Sequence, residues 1–250
     1  MTPAGKIALA AGALGLLGLY LLWTAISALL RRQRMISTPT SKIADRPTGF
    51  AELHGRIVAL EELRAPYSQE RCVYYSFRLM ELQRQNRGKR WVVRRKGSEF
   101  VDFVIDDGTG RALVRPKGAT FELNEDARAR TGTFSGLTPE LRAFLTKLDV
   151  DPTTFLGFNR ELRLEESFLA PDDELYLLGR VRGCGSGEGK RAGGATLVMA
   201  EGGPDFLLSD RGEEALASSL LGRAMFGGLG ALLAFGGAAA FVLLGPGKFD

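Results

Sequence analysis

LLRRQRMISTPTSKIADRPTGF, residues 29–50, begins in apolar side chains, runs into Arg31, Arg32 and Arg34, and ends rich in Pro, Thr and Ser. Whether these arginines close a cleaved export signal or a permanent anchor decides how the rest of the chain is read. Upstream, residues 7–30 (IALAAGALGLLGLYLLWTAISALL) carry no charge. At 1.5 Å rise per residue, such a helix exceeds the roughly 30 Å hydrocarbon core of a bilayer. A signal peptide has a shorter apolar run ending at small residues spaced A-x-A. Here Leu29 and Leu30 lead straight into the arginines, a stop-transfer pattern, so the stretch predicts an anchor.

A second uncharged run, AMFGGLGALLAFGGAAAFVLLG at 224–245, is also of spanning length. Gly230, Ala234 and Ala238 recur every four residues in it. Ala11 and Gly15 do so in the first span, with Ile7 one turn earlier. Small residues at this spacing let membrane helices approach closely, so the two spans are expected to pack on each other or on further copies. Arg31, Arg32, Arg34, Lys42 and Arg46 follow the first span, and Arg211 and Arg223 precede the second. The far flanks offer Lys6 and Lys248. The positive-inside rule then places the middle of the chain in the cytoplasm and both termini outside, in an inner cell membrane.

Charged residues make up 25% of the chain and apolar ones 45%, and the mean hydropathy is −0.02. Those averages combine greasy ends with a polar middle. The net charge of +4 is compatible with anionic lipid or nucleic acid but selects neither. Cys72, Cys184 and His54 complete the Cys and His inventory, which excludes a disulfide framework and a zinc-ligand cluster within this sequence. No cofactor or metal is expected.

Between the spans, residues 31–47 read as a basic, proline-containing linker. Residues 48–210 then alternate strand-forming runs with turns. Val73–Leu82 is joined to Trp91–Arg95 through RGK at 87–89, and DDGTG at 106–110 makes a tight hairpin. Thr138 with Pro139 starts a helix whose stripe is Leu141, Phe144, Leu145 and Leu148, and a second short helix is expected near Pro152–Phe158. Strands return in RELRLEESFL, DELYLLGRVRG, ATLVMA and DFLLS, with GCGSGEGKRAGG as a long mobile loop. Ser209 and Asp210 can cap an amphipathic helix over 211–223 that continues into the second span. The predicted architecture is mainly β with α (α+β). It is a small antiparallel β-barrel-like domain with a helical insert, flanked by two transmembrane helices, with tails at 1–6 and 246–250.

The order of elements resembles the GIDE-type family, whose soluble part is also called the beside-a-membrane domain. The residues that carry the resemblance are the first span, PYSQERCVYYSFRLMELQ, RWVV, FVDFVIDDGTGRALVRPKGA, ESFLAPDDELYLLGRV, and DFLLSDRGEEALASSL leading into the second span. Eukaryotic members resemble membrane-embedded ubiquitin ligases of mitochondria or chloroplasts that carry a zinc-binding RING after the second span. In this sequence five residues, 246–250, follow that span, and a RING needs about eight Cys/His ligands. The resemblance therefore implies a RING-less, prokaryotic member.

Each candidate for chemistry has a plainer reading. Asp106 and Asp107 are turn residues rather than a cation site. GCGSGEGKRAGG fails as a phosphate loop, because Cys184 stands where its first glycine belongs and Arg191 where Ser/Thr belongs. His54 and Cys72 could form a nucleophilic pair only by tertiary contact. Glu161, Glu165, Glu166, Asp172, Asp173 and Glu174 read as a solvated rim.

RQNRGKRWVVRRK, 84–96, sets Arg84, Arg87, Lys89, Arg90, Arg94, Arg95 and Lys96 around Trp91. A solvated hairpin ranks first for it, an anionic lipid surface second and single-stranded nucleic acid last. The membrane-surface residues expected are Arg31, Arg32, Arg34, Arg87, Lys89, Arg90, Trp91 and Arg94.

The function read from these features is a two-pass membrane protein presenting a β-rich scaffold domain without catalysis of its own. Its partners are the lipid bilayer, another membrane or cytosolic protein, and further copies through the small-residue helix faces. The rival readings are ubiquitin-transferase-type activity and an unrecognised membrane-anchored hydrolase.

Overall fold

The computed structural model describes residues 3–37, 40–85, 88–131, 137–153, 160–200, 206–211 and 213–244. The chain divides into two units, one formed by Met1–Pro39 with Gly212–Asp250, the other by Thr40–Arg211.

The first helix, α1, runs from Pro3 to Ser37, and its Ala8–Leu30 stretch is long and apolar enough to cross a membrane. It does not stop where the apolar run stops. Arg31, Arg32 and Arg34 lie in its last turns, so the extended linker expected from residue 31 begins later. Arg, Gln and Met are good helix formers, and nothing in RRQRM breaks the ladder.

Thr40–Arg211 contains, in chain order, β1 (Gly49–Ala59), β2 (Leu63–Arg64), β3 (Arg71–Cys72), β4 (Tyr74–Gln85), β5 (Gly88–Phe100), β6 (Phe103–Asp106), β7 (Arg111–Val114), β8 (Thr120–Glu122) and β9 (Ala127–Arg130). It continues with α2 (Pro139–Lys147), β10 (Leu162–Leu169), β11 (Glu174–Gly183), α3 (Ser186–Arg191), β12 (Leu197–Met199) and β13 (Leu207–Ser209). Neighbouring strands run β1-β6-β7-β12-β11, and β11 pairs back onto β1, which closes a five-stranded barrel. Ranked by chain order, these strands read 1-2-3-5-4 before closing on 1, a five-stranded Greek-key barrel of the OB type. The expected barrel is present, with one departure from antiparallel pairing at the parallel β7–β12 seam. β13 and β8 extend it as a flap, β13 on β11 and β8 parallel to β13.

Alternate residues fill the interior, as the two-residue strand period dictates. Leu53 and Ile57 of β1, Phe103 and Ile105 of β6, Leu175 and Leu177 of β11, and Leu197 and Met199 of β12 are all buried. Closure depends on glycine at two positions. A Cβ on Gly55 would lie 2.8 Å from the Asp106 carbonyl oxygen, where β1 crosses from β11 to β6. A Cβ on Gly179 would lie 2.7 Å from the Phe206 ring.

A second layer is inserted into the barrel's connections. Its sheet runs β5-β4-β10-β9. On one face, Leu141, Phe144 and Leu145 of α2 pack against Leu79, Leu162 and Leu164. The Thr138 hydroxyl caps α2 by accepting from the Leu141 N–H at 3.3 Å, as its sequence predicts.

Several local expectations are corrected. Gly88 and Lys89 belong to β5 rather than to a turn, because the hairpin strands run to Gln85 and from Gly88. β8 and β9 were not anticipated, being three and four residues long in polar sequence. The expected mobile loop GCGSGEGKRAGG contains α3, whose start is fixed by Glu188: its carboxylate accepts from the Gly185 N–H at 3.4 Å, and its own N–H donates to the Gly185 carbonyl at 3.0 Å. Ser209 and Asp210 lie ahead of α4, and their bonds among the described residues tie them to the barrel flap. Ser209 ends β13 and donates to the Glu122 carbonyl at 2.8 Å, and the Asp210 carboxylate accepts from the Asn124 N–H at 2.9 Å. Most of the short helix expected near Pro152–Phe158 lies outside the described residues.

The last helix, α4, spans Glu213–Leu244 without interruption, and its apolar stretch Ala224–Ala240 is shorter than that of α1. α1 and α4 pack through small residues: Ala25, Ala28, Ala224, Ala231 and Ala234 are buried. Gly230 abuts Leu21, whereas Gly15 faces open space.

Candidate functional site

The basic run of β5 is divided by strand geometry. Successive side chains on a strand point to opposite faces. From the register, Lys89, Trp91, Val93 and Lys96 share the outer face of the sheet, away from α2, with Arg78, Met80 and Leu82 of β4. The register shift between Leu79 and Met80 bulges β5 at Arg94. Arg94 pairs with Glu81, which also takes Arg160 at 3.1 Å, and Arg90 lies on the face opposite Trp91. The Glu81 carboxyl sits below its ordinary value: burial raises it, but the Arg94 and Arg160 guanidinium groups outweigh that. Of the expected membrane-surface residues, Lys89 and Trp91 thus remain together, Arg90 and Arg94 are turned elsewhere, and Arg87 lies outside the described residues. Arg31, Arg32 and Arg34 belong to the other unit.

The outer face gains cations that the linear sequence does not group with β5. By register, Arg163 and Glu165 of β10 and Arg128 and Arg130 of β9 join it. The Arg130 guanidinium lies 5.5 Å over the Trp91 ring, a cation–π contact. Glu165 binds Arg78 at 2.8 Å and Arg163 at 2.5 Å. The result is an apolar ridge of Trp91, Val93, Met80 and Leu82 bordered mainly by positive charge.

The acidic residues divide in a similar way. Glu165 and Glu166 are buried, which corrects the solvated-rim reading for both. The Glu166 carboxylate accepts the N–H groups of Tyr67 and Ser68 at 2.8 and 2.9 Å, pinning the loop between β2 and β3. Asp107 accepts from the N–H groups of Ile43, Thr109 and Gly110 at 2.8, 2.8 and 2.9 Å, so the turn also holds the segment that enters β1. Its carboxyl lies below the ordinary value, burial being outweighed by these donors. Asp106 is lowered by the Gly108 N–H and by Arg111. Both aspartates are committed to turn chemistry.

The imagined Cys72–His54 pair is not assembled as a nucleophile. Cys72 is wholly buried and its thiol is pushed up to about 11, chiefly by burial and then by Glu166, so it is protonated at neutral pH. His54 lies on β1, half-exposed, 4.0 Å from Glu174.

α3 brings together a group that sequence reading missed. Glu188 takes Arg115 at 2.7 Å and Arg182 at 3.0 Å, and Arg115 also approaches Asp102 at 3.4 Å. The Arg182 hydrogen bonds lead in holding the Glu188 carboxyl down to about 2, against a smaller opposing effect of burial. The signal was obscured because these residues are spread over the chain entering β6, the end of β7, β11 and α3. Beside them opens a cleft of about 650 Å³ on the outside of the barrel. Among the described residues, no group of three or more His, Cys, Asp or Glu side chains could hold a metal ion.

Comparison with known families matches residues 78–244, more than half of the chain, to the GIDE model, described as E3 Ubiquitin ligase. No curated protein and no solved structure matches the chain.

Proposed function

We propose, from the premise that this chain belongs to the GIDE family, that it is a two-pass integral membrane protein. On this reading it presents a β-rich interaction and scaffold domain at the bilayer surface and performs no catalysis of its own. The observation that carries the membrane part is the inside-out composition of the helix pair. Alanine and glycine lie between α1 and α4, whereas Leu16, Trp23, Phe226 and Leu232 are 71%, 66%, 80% and 72% exposed. In water such apolar surface costs about 25 cal/mol per Å², and in hydrocarbon that cost vanishes. The uncharged sequence around α4's apolar stretch continues to Gly245, long enough for a second crossing.

Arg31, Arg32, Arg34, Arg211 and Arg223 favour a cytoplasmic domain with both termini outside an inner cell membrane. The outer face around Trp91 suits an anionic leaflet, each nearby Lys or Arg contributing about 1 kcal/mol. A second protein, in the membrane or the cytosol, is the further partner, and Gly12 and Gly15, which face open space, leave part of α1 for another copy.

The ligase reading rests on the description of the matching family. Two tetrahedral zinc sites need about eight Cys/His ligands, and these 250 residues supply two cysteines and one histidine. Any transfer chemistry would therefore use zinc ligands that lie outside these 250 residues. A hydrolase based on Cys72 is disfavoured by its buried, protonated thiol. Alkaline carbonate washing of membranes, followed by zinc analysis of the purified protein, tests the proposal. Retention in the pellet without stoichiometric zinc is expected. Release into the wash would remove the membrane reading, and one or more zinc ions per chain would favour the ligase.

A further inference from the structure

We infer that the cleft beside α3 is a docking site for an extended peptide segment carrying one basic and one acidic side chain. This rests on the interaction-domain reading above and names its contact surface.

The wall of the cleft is built rather than incidental. α3 is fastened by Glu188 to Arg115 and Arg182, and the Arg111 guanidinium donates to the Gly193 carbonyl at 3.1 Å. Beneath it, Ala192 and Ala195 pack on Val104, Leu113 and Val198. A Cβ on Gly189 would lie 2.4 Å from the Ala195 carbonyl oxygen, so the seat of the helix tolerates nothing larger there. The cleft is bounded by the chain leaving β1, the chain entering β6, the end of β7, and α3. In a barrel with this strand order, those are the strand 2–3 face and the 1–2 and 4–5 loops, where ligands of such barrels bind.

The lining selects the class of ligand. Among the described residues its lining contains no aromatic side chain, which removes the stacking platform that single-stranded nucleic acid and sugars use, and Glu61, Asp102 and Glu188 repel phosphates. Two of its charges remain uncommitted: Glu61 on the β1 side and Arg191 on α3 are exposed and have no ion-pair partner among the described residues. Arg115 and Glu188, by contrast, neutralise each other. Leu60, 40% exposed and next to Glu61 in the chain, offers apolar contact in the same cleft. A peptide with a base toward Glu61, an acid toward Arg191 and an apolar residue against Leu60 satisfies all of these groups.

The test pans a random-heptapeptide phage library against the full chain in lipid nanodiscs. Peptides bearing both an acidic and a basic residue should be enriched. Their binding should weaken about tenfold in E61K and in R191E. The double exchange E61K/R191E should prefer the same peptides with the two charges transposed. Both residues are exposed, so unchanged thermal melting should accompany these variants, and L60R, which fills the cleft, provides an independent block. Enriched peptides that bind E61K, R191E and L60R as well as wild type would overturn the site while leaving an interaction domain that acts elsewhere. No enrichment would overturn the inference. Binding of dT10 or maltoheptaose that these variants abolish would assign the cleft to nucleic acid or sugar instead.

Discussion

The Phe235 ring on α4 lies against Gly18 on α1 so closely that a Cβ at position 18 would come 2.9 Å from it. Further along the same pair, a Cβ on Gly227 would lie 3.2 Å from both the Ala25 Cβ and the Leu21 carbonyl oxygen. The two glycines differ in what surrounds them. A ring can swing aside, but a helix backbone cannot.

G227L should therefore weaken the α1–α4 pair by about 1–3 kcal/mol, the usual cost of overpacking a close contact. G18A should cost less. Unfolding titrations with SDS in mixed micelles measure both, and a G227L variant as stable as wild type would mean that the helices do not pack through this face.

Acid should loosen α3. Because the folded Glu188 carboxyl sits at about 2, below its ordinary 4.5, its ion pairs stabilise the fold above pH 4.5 and are lost as pH falls toward 2. Asp106 and Asp107, also lowered, act in the same direction at the acid end. The melting temperature of wild type should drop across this window, and E188Q, which cannot titrate, should drop less. Parallel curves for the two proteins would contradict the assignment.

Trp91 should report lipid. W23F leaves it as the sole tryptophan. In nanodiscs containing brominated anionic lipid, Trp91 fluorescence should be quenched, and K89E/R130E should reduce that quenching toward its level in zwitterionic lipid. The effect should shrink in high salt, which screens exposed charges over about 10 Å at 0.1 M. Equal quenching in wild type and the double variant would remove this face from the bilayer.

Where sequence revealed the fold, local periodicity and local interior packing agree. The α2 stripe with its Thr138 cap, the DDGTG turn and the alternating apolar residues of β6 and β11 were legible because each is decided within a few residues. The closure of β1 across Gly55, the parallel β7–β12 seam and the burial of Glu166 were not. Each depends on a partner far along the chain; Glu166, for instance, meets the N–H groups of Tyr67 and Ser68. The basic run shows the same limit in the site. Its composition was plain, but the face on which each charge lies follows from the β4–β5 register and the bulge at Arg94. Arg130 joins Trp91 only through β9 and β10, and the Arg115–Glu188–Arg182 group forms only once the barrel closes.

The central claim is that both apolar helices cross the membrane and hold Thr40–Arg211 on the cytoplasmic side. Labelling with a membrane-impermeant maleimide tests it most directly, using K117C and K248C separately in a C184S background of intact cells. The account predicts that K248C labels at once and K117C only after permeabilisation. Immediate labelling of K117C, or identical behaviour at the two positions, would contradict it.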